Sequence, residues 1–538
     1  MRLIYGVFCG LVLTIAFANR TDAARPNILI AIADDQSFPH ASAYGDAAVQ
    51  TPAFDRIAKA GVLFSQAFTP APGCSPMRAA FLTGREIWQI REAGTHASSF
   101  PTDLPVFTNQ LATAGYHVGM TGKGWGPGKA IGWPQNPAGK AYTAKKSKSP
   151  KGVSEVDYAA NFDDFLDGRS DDQPFCFWFG SHEPHRGYDP GIGARNGIDP
   201  AKITVPGFLP DDEIVRNDIA DYLYEIQWFD QHLGRMVDRL SATGELENTL
   251  VIVTSDNGMP FPRAKANLYE YGIHMPLAIS WPAVVPPGQV NDDLVSLIDV
   301  TRTIFTATEV EPIDGASMPG HSLVERMRDK LGSVEWPRSA AYSGRERHSS
   351  SRYNTLGYPC RSIRTQSHLY IRNYAPKRWP AGPGQVYARA AYDDAGRLVS
   401  SMLGPRHGGY HDIDSGPTLT AMIEQVDAPE YAGFLELATA KRPDEELFDI
   451  RIDPSCLNNL AGRAEADAVR KDLAARLANY LTKTGDLRQT DPSLAEVWET
   501  YPRHSALRWF PVPDWAVESP PPVLPWLDAR RPGVRSAK

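Results

Sequence analysis

The strongest constraint on the fold is a pattern that recurs along the chain: a short, unbroken apolar run followed at once by polar residues. Pro26 to Ala33 (PNILIAIA) ends in Asp34-Asp35, and His117 to Thr121 leads into Gly122-Lys123. Pro174 to Gly180 (PFCFWFG) leads into Ser181-His182, and Leu250 to Thr254 (LVIVT) into Asp256-Asn257-Gly258. Runs this short and this apolar suit strands buried on both faces, the condition of a parallel sheet covered by helices. Helical patterns lie between them. Thr51-Pro52 opens one through about Ala60, Leu104 to Ala114 closes at Gly115, Asp211 to Leu240 is long and amphipathic, and Ile298 to Thr308 is another. Leu277 to Trp281 reads as a further strand. The expected fold is α/β, a large, mostly parallel mixed sheet with helices on both faces. Ligand chemistry is expected at the carboxyl edge of that sheet, where the polar residues gather.

A chain of 538 residues is too long for one simple core. After about residue 340 the pattern changes. Cys360 to Tyr374 and Glu446 to Ile452 read as strands of an antiparallel sheet, and Ala464 to Leu481 as a helix. The expected organisation is a leader over 1–24, a main domain over 25–355, a smaller α+β domain over 356–509 and a proline-rich extended tail over 510–538. Lys140 to Lys151, with five lysines, reads as a solvated loop. The leader has Arg2, an apolar run from Ile4 to Phe17 and small-residue cleavage patterns at Ala16-Phe17-Ala18 and Ala23-Ala24. The run is shorter than the roughly 20 residues a spanning helix needs, so export after cleavage is expected, with no stable membrane anchor.

The net charge of −8 excludes a global basic field, and no basic and aromatic pattern for nucleic acid is present. An anionic substrate must be drawn by a local cation cluster or a metal. Cys74, Cys176, Cys360 and Cys456 form neither a disulfide framework nor a zinc pattern, and Cys176 reads as inert core. Asp34, Asp35, Asp256 and Asn257, two pairs each just past a strand, offer hard oxygen ligands that select calcium or magnesium. Cys74-Ser75-Pro76-Met77-Arg78 continues into Ala79-Ala80-Phe81-Leu82-Thr83-Gly84-Arg85. A helix starting near Pro76 aims its positive dipole end at residue 74.

This segment resembles the signature of the formylglycine-dependent sulfatases of the alkaline phosphatase superfamily. The likeness continues through Asp34-Asp35, Gly122-Lys123, Ser181-His182-Glu183-Pro184-His185, Ser255-Asp256-Asn257-Gly258 and Glu446-Leu447-Phe448-Asp449. Ala33 to Asp35, Ser181 to Arg186 and Thr254 to Tyr269 (TSDNGMPFPRAKANLY) are similar to the N-sulfoglucosamine sulfohydrolase (sulfamidase) branch. The resemblance implies one calcium ion held by Asp34, Asp35, Asp256, Asn257 and residue 74, the Cys74 that a maturation enzyme oxidises to formylglycine. It implies that one hydroxyl of the hydrated aldehyde attacks sulfur, giving a sulfated enzyme that collapses when the second hydroxyl loses its proton. Arg78, Lys123 and Lys265 would surround the transferring group with positive charge, and His182 would protonate the leaving group. The substrate implied is a sulfated glycan, and a homodimer is compatible with the resemblance. His185, Arg186, Trp125, Arg263 and His96 are further candidates for substrate contact. The family pattern Lys-x-His is broken here, because Trp125 stands at the histidine position. Trp125 could be a sugar platform, and His96 or His185 could replace the missing histidine.

Overall fold

A computed structural model describes residues 25–505 except 171, 331, 353–354 and 393–397. The leader and the tail from 510 lie outside the described residues. Nine strands form the main sheet: β1 (Asn27–Ala33), β2 (Val62–Phe68), β3 (His117–Gly122), β4 (Lys140–Ala141), β5 (Phe175–Gly180), β6 (Thr249–Ser255), β7 (His274–Ser280), β8 (Gln289–Asn291) and β9 (Val295–Ser296). Their order is β4-β3-β5-β1-β6-β7-β2-β8, with β9 alongside β2. The half β3-β5-β1-β6 is parallel, whereas β7 runs antiparallel to β6 and to β2.

Period-two alternation along the strands feeds two separate cores. Ile28, Ile30 and Ile32 of β1, with Trp178 and Ile252, pack into one layer. Leu29, Ala31 and Ala33, with Phe177, Phe179, Val251 and Val253, pack into the other. The helices expected from the sequence cover these faces: α1 (Pro52–Ala60), α2 (Cys74–Thr83), α3 (Phe107–Thr113), the long helix Glu213–Ala242, and Leu297–Thr308. The sequence reading missed β2, because Ser65 and Gln66 interrupt its apolar run and a bulge separates Phe64 from Ala67. The expected lysine loop gives up Lys140 and Ala141 to edge strand β4, paired with Gly119 and Met120.

A second, antiparallel sheet has the order β10 (Ala341–Arg345), β11 (Cys360–Arg364), β12 (His368–Asn373) and β15 (Glu445–Asp449), with β13 (Tyr387–Tyr392) and β14 (Leu398–Leu403) forming a separate hairpin. β10 precedes residue 356 yet pairs along its length with β11. The helix Asp467–Lys483 buries Leu473, Leu477 and Leu481, one face at helical spacing. Among the described residues no helix is long and apolar enough to cross a membrane.

Candidate active site

Strand register assembles the site. β1 pairs Ala33 with Ser255 of β6 and Ile32 with Gly180 of β5, and β3 pairs Gly122 with Gly180. Adjacent strands lie about 4.8 Å apart, so the residues that follow them must share one sheet edge. Backbone bonds continue past the strand ends, from Asp256 N to Ala33 O (3.2 Å), Ser181 N to Ile32 O (3.0 Å) and Lys123 N to Gly180 O (2.7 Å). A Cβ at Gly180 would stand 1.8 Å from the Lys123 carbonyl, so only glycine lets this turn close. Asp35 takes a left-handed backbone (φ 78°), a strained conformation of the kind that clusters at functional sites.

The carboxylates and cations interlock. Lys123 Nζ donates to both oxygens of Asp34 at 2.7 and 2.6 Å, and Lys265 Nζ to Asp35 Oδ2 at 2.5 Å. Arg78, fully buried, donates from Nε to Asp256 Oδ2 at 2.8 Å and from Nη1 to the carbonyls of Lys123 (2.6 Å) and Gly124 (3.2 Å). Asp256 Oδ1 accepts from the backbone N–H of Asp35 (3.0 Å) and of Asn257 (2.8 Å). Burial alone would raise the Asp34 carboxyl, but the charges of Lys123, His185 and Arg78 outweigh it and hold it well below the usual range.

Cys74 is the first residue of α2, with Gly73 as its cap. Arg78 lies four residues on and therefore on the same helix face. The buried Sγ lies 3.4 Å from His96 Nε2, and the His96 ring packs at 4.5 Å on that of His348. Burial pushes the thiol up, with Lys123 opposing and Asp34 adding to the rise. An unmodified thiol here is a poor nucleophile, because the thiolate is the reactive form.

The donor set fits a hard dication. Asp34, Asp35 and Asp256 each place an oxygen within 4.8 Å of the others, all buried. Asn257 donates from Nδ2 to Asp35 Oδ1 at 2.7 Å, while its Oδ1 is buried without a hydrogen-bond partner. A buried orphan acceptor is costly, and a cation bound beside it would satisfy it.

These features agree with the comparisons. The sulfatase family profile matches residues 26–310, more than half of the chain. The chain belongs to the sulfatase family. It is therefore a hydrolase of sulfuric esters or sulfamates. A second profile, "N-sulphoglucosamine sulphohydrolase, C-terminal", matches residues 263–379. The sulfatase is 30% identical to human N-sulphoglucosamine sulphohydrolase over 75% of this chain and 84% of that protein. It is 24% identical to an ulvan-active sulfatase of Formosa agariphila over 86% and 76% of the two chains. A protein solved in complex with its substrate D-glucosamine-2-N,6-O-disulfate shares the fold at TM-score 0.59 and 20% identity, covering 87% of this chain and 99% of that one. The phosphonate monoester hydrolase of Agrobacterium radiobacter shares it at TM-score 0.58 and 18% identity, covering 86% and 97%.

The remaining candidate residues divide. His185 reaches the sulfatase site, its Nε2 3.9 Å from Asp35 Oδ2 and its Nδ1 2.7 Å from the Arg186 carbonyl. His182 stands exposed at the rim, its imidazolium disfavoured first by desolvation, with the nearby Asp34 charge opposing. Three expected substrate contacts are engaged within the fold. Trp125 is 4% exposed, donates from its indole to the Ser75 carbonyl at 3.1 Å and packs edge-on against Phe100, so it braces the start of α2 and is no sugar platform. The guanidinium of Arg186 is taken by a two-pronged bond to buried Asp218 (2.7 and 2.8 Å) and by the Pro260 carbonyl. Arg263 donates to the carbonyls of Leu437 and Cys456 and lies over the Tyr269 ring, tying the C-terminal segment to the main sheet. The sequence reading missed Asp414, whose Oδ2 is 3.1 Å from Lys265 Nζ and which groups with Asp35 and His185. It also missed His348 behind His96. Neither lies in a motif, and each reaches the site only through the long return of the C-terminal half. Cys74, Cys176, Cys360 and Cys456 are all free and buried.

Proposed function

We propose that this sulfatase is exported and removes the N-sulfate from a terminal glucosamine of heparan-type saccharides. The observation that carries the reading is the gathering of Asp34, Asp35, Asp256 and Asn257 with buried Arg78 and Lys265 and part-buried Lys123 around Cys74. Similarity to the human N-sulphoglucosamine sulphohydrolase, and the match to the C-terminal profile of that enzyme, support the choice of sugar. Residue 74, oxidised to formylglycine by a maturation enzyme, supplies a hydrated-aldehyde nucleophile that a thiol cannot replace. A calcium ion would be held by Asp34, Asp35, Asp256 and Asn257 and would supply Lewis acidity.

The chain's own residues do the rest. Arg78, Lys123 and Lys265 face four carboxylates, counting Asp414. With all four carboxylates ionised, the site carries one net negative charge without an ion, and a dication leaves it net positive, as an anionic sulfate requires. Their positions are fixed by the carboxylates before any substrate arrives, so no reorganisation is needed as charge develops on the transferring group. His182 is the candidate donor of the proton that the departing amine takes, and the charge building on that amine side in the reaction must offset the desolvation that disfavours its imidazolium. His96, with Nε2 at residue 74, takes the proton that the family assigns to the histidine replaced here by Trp125. Burial of residue 74, 1% exposed, keeps bulk water from the reacting atoms.

An O-sulfatase is the second reading. It is favoured by 24% identity to the N-acetylglucosamine-6-O-sulfatase of Bacteroides thetaiotaomicron over 76% of this chain. A sulfate-release panel of N-sulfoglucosamine, 6-O-sulfated and 2-O-sulfated sugars decides between them. Preference for either O-sulfated sugar would reject the N-sulfate reading. Peptide mass spectrometry of residue 74 tests the maturation. A protein with formylglycine in place that binds these sugars yet releases no sulfate would be a silent glycan binder.

A further inference from the structure

A polar cleft of about 840 Å³ lies away from Cys74, between the loop 315–322, the helix Leu297–Thr308 and the end of the helix Asp467–Lys483. Ligand pockets span roughly 300–1,000 Å³, so the space suits a small saccharide rather than a lone ion. Its position follows from α2. Gly84, which ends that helix, packs against Met318 so closely that a Cβ there would meet the Met318 methyl at 2.3 Å. Ten residues of helix put Gly84 about 15 Å from Cys74, so the cleft sits at the opposite end of the helix that carries the nucleophile.

The wall of the cleft includes Arg302, His321, Arg338 and Lys483 but no aspartate or glutamate. That is unusual for a chain with a net charge of −8. Carboxylates nearby are already engaged. Asp299 is held in a fork by Arg338 (Nε to Oδ2, 2.7 Å) and by the His321 backbone N–H, and buried Glu86 accepts from the Tyr480 hydroxyl at 2.6 Å. Arg302 and Lys483 make no ion pair among the described residues, and Arg302 Nη1 is buried without a hydrogen-bond partner. Arg302, Arg338 and Lys483 share one electrostatic neighbourhood with His321: its imidazolium is disfavoured by burial first and next by the charge of Arg338, with Asp299 opposing and Lys483 and Arg302 adding to it. Tyr342 and Tyr480, stacked face to face at 3.6 Å, also border the cleft and place an aromatic pair beside the cations. An orphaned guanidinium, an unpaired ammonium and an aromatic wall form a site for a ring that carries anionic groups.

We propose that this cleft is a second binding site for sulfated saccharides, with Arg302 and Lys483 as its anion contacts. It rests on the sulfated-saccharide reading above but not on turnover. The probe is a fully sulfated heparin disaccharide, too short to bridge both sites, titrated calorimetrically into full-length Cys74→Ala protein. The expected result is two equivalents bound, falling to one in the Arg302→Gln/Lys483→Gln variant. Sulfate release from N-sulfoglucosamine by the same double variant with Cys74 intact should be unchanged. Arg302→Lys keeps the charge and should keep the second equivalent; its loss there would assign the effect to packing and overturn the proposal. One equivalent in both proteins, equal binding of the unsulfated disaccharide, or complete displacement of the second equivalent by inorganic phosphate at equal concentration would also overturn it. If wild-type protein releases sulfate from no sugar while the second equivalent still depends on Arg302 and Lys483, the proposed activity fails and the binding site stands.

Discussion

Replacing Arg78 by methionine tests the electrostatic core of the site. The side chain is fully buried, so water cannot substitute for what it loses. Three bonds disappear: to Asp256 Oδ2 at 2.8 Å, to the Lys123 carbonyl at 2.6 Å and to the Gly124 carbonyl at 3.2 Å. The Lys123 carbonyl keeps the Trp178 indole as donor at 3.0 Å, and Asp256 Oδ1 keeps two backbone donors. The uncompensated losses are thus one buried carboxylate oxygen, about 3 kcal/mol, and one buried carbonyl, about 1 kcal/mol. The sum of about 4 kcal/mol is a shift of roughly 10³ in the folding equilibrium. Urea unfolding of the full chain, followed by tryptophan fluorescence with a chelator present, measures it. Arg78→Lys should lose less, because it keeps the charge while giving up the fork. A loss below about 1 kcal/mol for Arg78→Met would mean that the pair contributes no more than an exposed one, and the account of a charge-balanced site would be wrong.

Calcium at 100 times its dissociation constant should stabilise the protein by about 2.7 kcal/mol. The effect should vanish in Asp34→Asn and Asp256→Asn, and melting curves unmoved by calcium and chelator alike would refute the metal site. His96→Ala should lower the turnover number about 10²–10⁴-fold, the span usual for a general acid or base, in protein whose residue 74 mass spectrometry shows to be oxidised; full activity would return the missing-histidine role to another group. Cys74→Ala should cut sulfate release by about 10⁴-fold or more, and retained turnover would end the nucleophile assignment. Burial alone would raise the Glu270 carboxyl, but Arg364, with His274, outweighs it and takes it from 4.5 to about 2. Because the folded value is the lower one, the group contributes about 3 kcal/mol above pH 4.5, lost as pH falls toward 2. Glu270→Gln should flatten the acid limb of the stability curve, and an unchanged limb would reject the linkage.

The sequence by itself determined the local elements and the residue types at their ends. Ile28 to Ala33, Phe175 to Phe179 and Leu250 to Val253 are apolar without interruption, so burial on both faces was legible, and with it the parallel half of the main sheet. The polar residues after each strand were legible as site residues for the same reason: nothing in a buried strand calls for Asp34-Asp35 or Asp256-Asn257 unless the edge does chemistry. Tertiary structure alone decided the partners of the nearby cations. Motif position marked Lys265 for the site and left Arg263 and Arg186 as candidates for substrate contact, whereas in the fold Asp218 claims Arg186, two C-terminal carbonyls claim Arg263, and Lys265 reaches Asp35 and Asp414. Likewise only the folded chain turned Trp125 inward against Ser75 and Phe100, set His96 against residue 74 and left Arg302 without a carboxylate. Strand formation depends on periodicity that a few neighbouring residues carry. Whether a charge is paired or free depends on partners that only the folded chain brings within reach.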